Sequence, residues 1–429
     1  MALQRCAHDE VHDAFLRKSW LHQVSHHPGV TYATNGELLS VFELMNQGIR
    51  VSKEKLASAK VPQSVTVREA SFADYGAIRL LASRYGLETK SYEEWRHLWL
   101  GNLLYDELQR KWPIGWVLEG NGQHIVGYIG NIPRWYELQE QKITAAVTYS
   151  WVVDSSYRSY SILLLDRYFD QKNVDLYLST TVNAQAFNAF TAFNSLPVPV
   201  GAWDRSAFWI THYRGFASSW ATFKGLPFGR PLSYVLSVPL LFKDLSARRD
   251  LDVVQNGVDV KCCNSFDDRF DIFWSTLKRQ NSAMLLAVRS REVLQWHFKY
   301  AILQNRIWIL TITKGSELVS YSIFYRQDNP KIGLKRIRLI DFQVLDGNMA
   351  LLLAMLSQAL KRCRQEGIHM LEYVGFCPEV ERLIESLDPQ QRKLPSWLYY
   401  YKSKGLSLAR TLVNPKVWNP TCFDGDSSL

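Results

Sequence analysis

AAVTYSWVVD (145–154), SSYRSY (155–160), SILLLDRYFDQ (161–171), VDLYLSTTVN (174–183) and AQAFNAFTAF (184–193) follow one another almost without interruption. The first and fourth pieces are rich in Val, Thr, Tyr and Trp, which suit a pleated, buried surface, whereas the third and fifth are apolar every three or four residues. The stretch therefore reads strand, turn, helix, strand, helix. Strand, helix and strand with short connections make a parallel βαβ unit. The turn after its first strand presents free backbone N–H groups at a helix N-terminus, a place where phosphate is readily held.

Upstream, VTVREAS (65–71) alternates as a strand, and FADYGAIRLLASRYGL (72–87) and SYEEWRHLWL (91–100) carry helical spacing. IGWVLE (114–119) and HIVGYIGNI (124–132) form a hairpin through Gly120 and Gly122, and AFWITHY (207–213) closes the run as a strand. From residue 259 the same order returns. DDRFDIFWSTLKRQ (267–280) and SREVLQWHFKYAI (290–302) are helices, and RIWILTIT (306–313) with LVSYSIFYR (318–326) is a hairpin. KRIRLIDFQVL (335–345), MALLLAMLSQALKRCRQ (349–365), IHMLEYVG (368–375) and PEVERLIESL (378–387) are strand, helix, strand, helix, and PSWLYYYKS (395–403) matches AFWITHY at the end. Trp95-Arg96-His97 precedes the first hairpin as Trp296-His297-Phe298 precedes the second. The pattern predicts two copies of one domain. The expected boundaries are a leader with an amphipathic helix (1–62), a first domain (63–215), a connector (216–258), a second domain (259–404) and a tail (405–429).

The 429 residues are 47% hydrophobic and 21% charged, the balance of a folded globular chain with room for more than one core. No apolar run approaches the length of a membrane span, and the N-terminus lacks the basic start and apolar centre of a signal peptide, so a cytoplasmic location is expected. Six scattered cysteines without a C-x-x-C pair point to reduced thiols. His8 and His12 would share a helix face near Cys6, but no third ligand follows at a metal-binding spacing, so no metal is expected. The net charge of +9 suits an anionic ligand without selecting one. Hydrolase, P-loop and Rossmann fingerprints are absent, and no DNA-binding pattern accompanies the basic tracts.

The element order resembles that of the GNAT N-acyltransferase superfamily, and VVDSSYRSYSILL (152–164) is similar to its acyl-CoA segment. In that family's R-x-x-G-x-G/A pattern, backbone N–H groups cradle the CoA pyrophosphate. Here Arg158 stands at the arginine position, with Ser161 and Leu163 where the glycines would be. Asn183 and the helix after it look like the asparagine and helix that lie along the pantetheine arm. The resemblance implies two tandem mixed α/β domains, each a twisted sheet flanked by helices. It implies transfer of an acyl group, such as acetyl, from acetyl-CoA or another acyl-CoA to an amine on a small molecule or cell-envelope precursor. The cofactor groove it implies comprises Val153, Arg158, Ser159, Tyr160, Ser161 and Asn183 in the first copy. The second copy's turn, LDGNMALLL (345–353), has Gly347 but no matching arginine. The architecture also resembles Fem-type aminoacyl transferases, which use aminoacyl-tRNA. A further alternative is a binding or scaffolding protein that kept the fold and lost the chemistry.

Transfer to an amine needs a group to take its proton. Glu137 and Asp154 are candidates near strand ends. Asp341 is a third, since Asp341 and Gln343 share one face of an apolar strand and imply either a buried network with Arg336 or Arg338 or a substrate pocket. The tyrosine that often serves as acid in this family is replaced by Phe187, Phe190 and Phe193, whose spacing is that of a helix core. The tail, ending FDGDSSL, is expected to be packed or frayed, since Asp424 and Asp426 supply too few oxygens for a calcium loop.

Overall fold

The computed structural model describes residues 65–183, 186–226, 258–394 and 398–429. The histidine-bearing leader and most of the connector lie outside the described residues. The first half runs β1 (Thr66–Glu69), α1 (Tyr75–Arg84), α2 (Tyr92–Leu100), a short α3 (Leu103–Glu107), β2 (Gly115–Glu119), β3 (Ile125–Leu138) and β4 (Gln141–Val153). It continues through α4 (Ser161–Phe169), β5 (Leu176–Val182), α5 (Phe187–Ala192), β6 (Leu196–Pro197), β7 (Arg205–Ile210) and α6 (Tyr213–Phe223). The second half is β8 (Val260–Cys263), α7 (Arg269–Gln280), β9 (Leu286–Ala287), α8 (Arg291–Leu303), β10 (Ile307–Lys314), β11 (Glu317–Arg326) and β12 (Arg336–Val344). Then follow α9 (Leu351–Gln365), β13 (Met370–Val374), α10 (Pro378–Glu385), β14 (Gln390–Lys393), β15 (Leu398–Ser403) and α11 (Leu406–Leu412). The order read from sequence is present in both halves, and each half carries the expected mixed sheet flanked by helices.

The two sheets are ordered β1-β2-β3-β4-β5-β15-β6, with β9 added beside β3, and β14-β7-β13-β12-β11-β10-β8. The closing strands are exchanged. β7, from the first half, lies antiparallel to β13 of the second, while β15 lies antiparallel to β5 of the first. The expectation that AFWITHY closes the first sheet is thereby corrected. Both strands are apolar enough to be buried in either sheet, and burial alone does not choose the partner. The exchange ties the halves into one unit, Pro62–Leu429.

Each sheet is built around one parallel pair. α4 buries Leu164, Leu165, Tyr168 and Phe169, so two adjacent positions recur one helical turn apart and cover the first sheet. The Tyr168 hydroxyl reaches across the parallel pair, donating to the carbonyls of Ala146 on β4 (2.7 Å) and Leu178 on β5 (3.3 Å). In the second sheet, Ile337, Leu339, Phe342 and Val344 face the core beneath α9, whose Leu352, Met355, Leu356 and Leu360 are fully buried. A register shift beside Ile340 places Arg338 and Asp341 on one face of β12, the face turned away from α9.

Residues 415–429 do not fray. Phe423 has no exposed surface, and the guanidinium groups of Arg134 and Arg289 lie 4.8 Å from its ring centre, one from each half. The tail therefore packs between the sheets.

Candidate functional site

β4 and β5 run parallel and in register only from Ala145↔Leu176 to Val147↔Leu178. Beyond that they part, leaving the last residues of β4 (148–153) and of β5 (179–182) with a wedge between them. The cause lies in β4. Across from it, Tyr128 pairs with Val152 and Gly130 with Tyr149, so β4 carries one residue more than β3 over this interval. Ser150 takes up the extra length with φ of +52°, a left-handed conformation that costs a serine about 1 kcal/mol or more. Gly130 permits it, because a Cβ there would lie 2.7 Å from the Tyr149 carbonyl oxygen. The bulge lies in the part of β4 that borders the wedge.

The residues expected to form the cofactor groove lie around the open end of this wedge. Val153 ends β4, Ser155–Tyr160 form a 3-10 turn, and Ser161 starts α4, with the Ser161 N–H donating to the Arg158 carbonyl. Arg158 and Ser159 are exposed, and among the described residues the Arg158 guanidinium has no hydrogen-bond or ion-pair partner. Tyr160 and Ser161 are half-buried. No side chain caps the start of α4, which continues directly from this turn. Leu163, in place of a glycine, is exposed and does not close over the turn. Asn183 lies at the matching end of β5, where its Oδ1 accepts the Ala186 N–H (2.9 Å) and caps the following helix.

The tail completes the site from the other side. Asp426 accepts from the hydroxyls of Thr180 (3.1 Å) and Thr181 (3.0 Å) on β5, which ties the tail to that strand. Burial pushes its carboxyl above the ordinary range, against the pull of these two hydroxyls. Next to it opens a cleft of about 190 Å³ lined by Lys90, Glu94, His297, Tyr300, Tyr325 and Ser428. Burial lowers the Lys90 ammonium pKa. His297 is held neutral, first by burial and then by the Arg134 charge. Its Nδ1 accepts from Arg134, so the ring carries its hydrogen on Nε2 and donates to the Ser428 hydroxyl (2.9 Å).

Gly425 is the hinge on which this docking depends, since a Cβ there would lie 1.7 Å from Thr180 Oγ1 and 2.4 Å from its Cβ. Gly425→Ala is therefore expected to lift Asp426 off β5 and to destabilise the protein by about 1–3 kcal/mol. Hydrogen exchange should locate the lost protection in the tail and in Thr180–Thr181.

The three expected proton acceptors are not brought together. Glu137 pairs with Lys278 (3.3 Å) where β3 meets the second half, a structural tie. Asp154 caps the 3-10 turn through the Ser156 N–H (3.1 Å) and pairs with Arg84 (3.0 Å), which lowers its pKa and makes it a poor base. Asp341 is fully buried, and its oxygens are taken by Arg289, Tyr321, Gln343 and Thr421. It forms the buried network expected, but with Arg289 in place of Arg336 or Arg338, which pair with Glu372. Phe190 is core, stacked on Tyr400 at 5.9 Å.

The second half has a parallel pair of its own, β12 and β13, in register from Arg336↔Met370 to Leu339↔Tyr373. The space beyond is filled by the chain itself. Thr421 Oγ1 donates to Asp341 (3.0 Å) and the Cys422 thiol to the Val374 carbonyl (3.4 Å). Among the described residues, only the first wedge is lined by a turn with an unpaired arginine, Arg158. Among the described residues, no three His, Cys, Asp or Glu are placed to hold a metal, and no helix is long and apolar enough to cross a membrane.

Sequence reading missed Ser150, Thr180, Thr181 and Lys90, and set Asp426 aside with the tail. Gly130 opposite a strand without a glycine was a signal for the bulge. The polar pair Thr180–Thr181 at the end of an otherwise apolar strand was another.

No family model matches the chain, and no curated protein matches it. Among solved structures, it is similar to Saccharomyces cerevisiae N-myristoyltransferase with bound myristoyl-CoA. One such structure matches at 13% identity over 86% of this chain and 85% of that one (TM-score 0.51), another at 12% over 80% and 84% (TM-score 0.52). A GCN5-related N-acetyltransferase from Kribbella flavida matches at 9% identity over 81% and 72%, with a TM-score of 0.48. At these identities the likeness to the yeast enzyme speaks to the fold.

Proposed function

We propose that the protein transfers an acyl group from an acyl-CoA to an amine, using the wedge of its first half. The observation that carries this is the parting of β4 and β5 beside a bulge in β4. A bulge leaves its extra residue out of the ladder, so that a backbone N–H there can polarise a thioester carbonyl, and a wedge between strands admits an extended pantetheine arm. The open turn at its mouth supplies Arg158 and the hydroxyls of Ser159 and Ser161, a donor set suited to a pyrophosphate. Val153 and Asn183 flank the arm. Acyl-CoA supplies the activated carbonyl, and the protein's part is to position it and to manage the amine proton. That the fold-alike yeast structures hold myristoyl-CoA supports an acyl-CoA as the donor class. The acceptor enters through the cleft beside Lys90 and Tyr300, whose mixed charges suit a polar small molecule or an envelope precursor in the cytoplasm. Nothing in the geometry favours aminoacyl-tRNA over acyl-CoA.

Acetyl-CoA and long-chain acyl-CoA are expected to raise the melting temperature. Arg158→Ala should weaken that binding about 10-fold or more, the loss of one charge-assisted phosphate contact. If no acyl-CoA at millimolar concentration shifts the melting temperature of the intact protein, the proposal fails.

A further inference from the structure

The cleft beside the tail holds a set of unused donors. Lys90 Nζ has no hydrogen-bond or ion-pair partner among the described residues, although Glu88 and Glu94 line the same cleft. The hydroxyls of Tyr300 and Tyr325, which also line it, likewise meet no partner among the described residues. Burial raises the pKa of both, so they keep their protons and can donate. The histidines in its wall, His97 and His297, are pushed toward the neutral form by burial. Among the lining side chains, the charges of Lys90 and Arg306 are therefore balanced by those of Glu88 and Glu94. Glu94 is engaged by the Ser91 N–H (2.8 Å) and by Gln304, and Arg306 donates to the Arg326 carbonyl (3.0 Å), whereas Lys90 and the two hydroxyls are left over. Leu98 lines the cleft, and Trp99 beside it meets Tyr149 of β4 edge-on, 6.4 Å between ring centres. Ser428 lines it too, two residues past Asp426, which is bound to the end of β5. The cleft thus lies within reach of both strands that bound the wedge.

We propose that Lys90, with the hydroxyls of Tyr300 and Tyr325, binds a carboxylate on the acyl acceptor, which is therefore a small amine of the amino-acid class, held by its acid group with its amine toward the wedge. Its role as acceptor rests on the acyl-CoA reading. A half-buried ammonium without a counter-charge is costly, and an incoming carboxylate supplies the missing charge. One cation and two hydroxyls also match the lone pairs of a single carboxylate. The balance of charge selects further. A phosphate dianion would bring more charge than Lys90 answers, close to Glu88 and Glu94, whereas a zwitterion adds no net charge. An amine without an acid group would leave Lys90 unpaired and meet its like charge. The volume, about 190 Å³, falls below the roughly 300–1,000 Å³ of sites for drug-sized ligands, as suits a molecule as small as an amino acid.

Glycine, L-alanine and L-phenylalanine, each paired with its amide, can be titrated by calorimetry into the full-length protein at pH 7. At least one acid should bind at millimolar concentration or below, and its amide, which keeps the amine and loses the charge, about 10-fold more weakly or worse. Lys90→Met should bring the acid down to the level of its amide, and Tyr300→Phe should weaken the acid and spare the amide. Failure of all three acids to bind overturns the proposal. So does an amide that binds as well as its acid, a Lys90→Met protein that keeps the preference, or inorganic phosphate that displaces the acid at equal concentration. The acid–amide comparison on the unaltered protein decides even where Lys90→Met does not fold. These titrations contain no acyl-CoA, so the thermal shift with acetyl-CoA reads the donor separately. An acyl-CoA shift without acid binding removes this proposal alone, and acid binding without any acyl-CoA shift removes the acyl-CoA reading and the acceptor role with it.

Discussion

Arg289→Met is expected to destabilise the protein by about 3–5 kcal/mol, because it strands a buried carboxylate. Arg289 sits just before α8 with 1% of its side chain exposed, and its partner Asp341 has none. The guanidinium donates from Nε to Asp341 Oδ2 (2.9 Å) and from Nη2 to Oδ1 (3.1 Å), a bidentate pair. Its remaining donors reach the Ala287 carbonyl (2.9 Å) and Thr421 Oγ1 (3.2 Å), and its face covers Phe423. One side chain thus joins the segment after β9, the centre of β12 and the tail. Methionine keeps the apolar contact with Phe423 and removes the charge, so Asp341 is left uncompensated near Asp424, whose carboxyl burial already raises. The double variant Arg289→Met/Asp341→Leu should recover most of the loss, since two apolar groups of similar size need no compensation. Urea denaturation of the singles and the double checks this. A double variant no more stable than either single would mean that the cost lies in shape and not in charge.

The same residues show where sequence reading stops. The alternation of KRIRLIDFQVL is enough to place Asp341 and Gln343 on a shared polar face, and to predict that they need partners. It cannot supply Arg289, which lies 52 positions earlier and arrives through the packing of α8 against the second sheet. Likewise, AFWITHY and WLYYYK announce themselves as buried strands, but an apolar pattern reports burial and carries no address. Hence the exchange of β7 and β15 was not legible. The βαβ unit was legible because it is local: strand, helix and strand adjoin in the chain, and a parallel pair leaves few alternatives for the connecting helix. The wedge at its end was foreseeable only as a resemblance, since the bulge falls on a serine in a conformation that glycine or asparagine would have signalled. The tail is the hardest case. FDGDSSL has the composition of a solvated end, and its burial depends on Arg134, Arg289 and His297, all distant in sequence, satisfying polar groups that would otherwise be costly to bury.

Glu372→Gln should cost a comparable 3–5 kcal/mol, roughly, by the same rule for uncompensated buried charge, and here pH offers a second way to test it. Glu372 has no exposed surface on β13, and three arginines converge on it. Arg338 donates from Nε (3.1 Å) and Nη2 (2.5 Å), Arg336 lies at 3.3 Å, and Arg392 donates from Nε (3.0 Å) beside the Ser206 hydroxyl (2.8 Å). Burial opposes ionisation, but the three guanidinium groups outweigh it and hold the carboxyl well below the usual carboxylate range. A carboxyl whose pKa is depressed on folding stabilises the fold fully above its unfolded value, about 4.5, and loses that contribution as pH falls toward the folded value. Glutamine has no such term. The stability gap between the natural protein and Glu372→Gln should therefore be constant from pH 7 to about 5 and narrow below about 4.5. His369, whose titration burial, His212 and Lys335 push down to about 4, weakens both proteins as pH falls from 6.5, and so cancels in the difference. Denaturation curves at pH 7, 5, 4 and 3 measure the gap. Parallel losses in the two proteins across the whole range would show that the arginines do not hold Glu372 in its charged form, and that β7, β13 and β14 are joined at this point by their backbone ladders and packing.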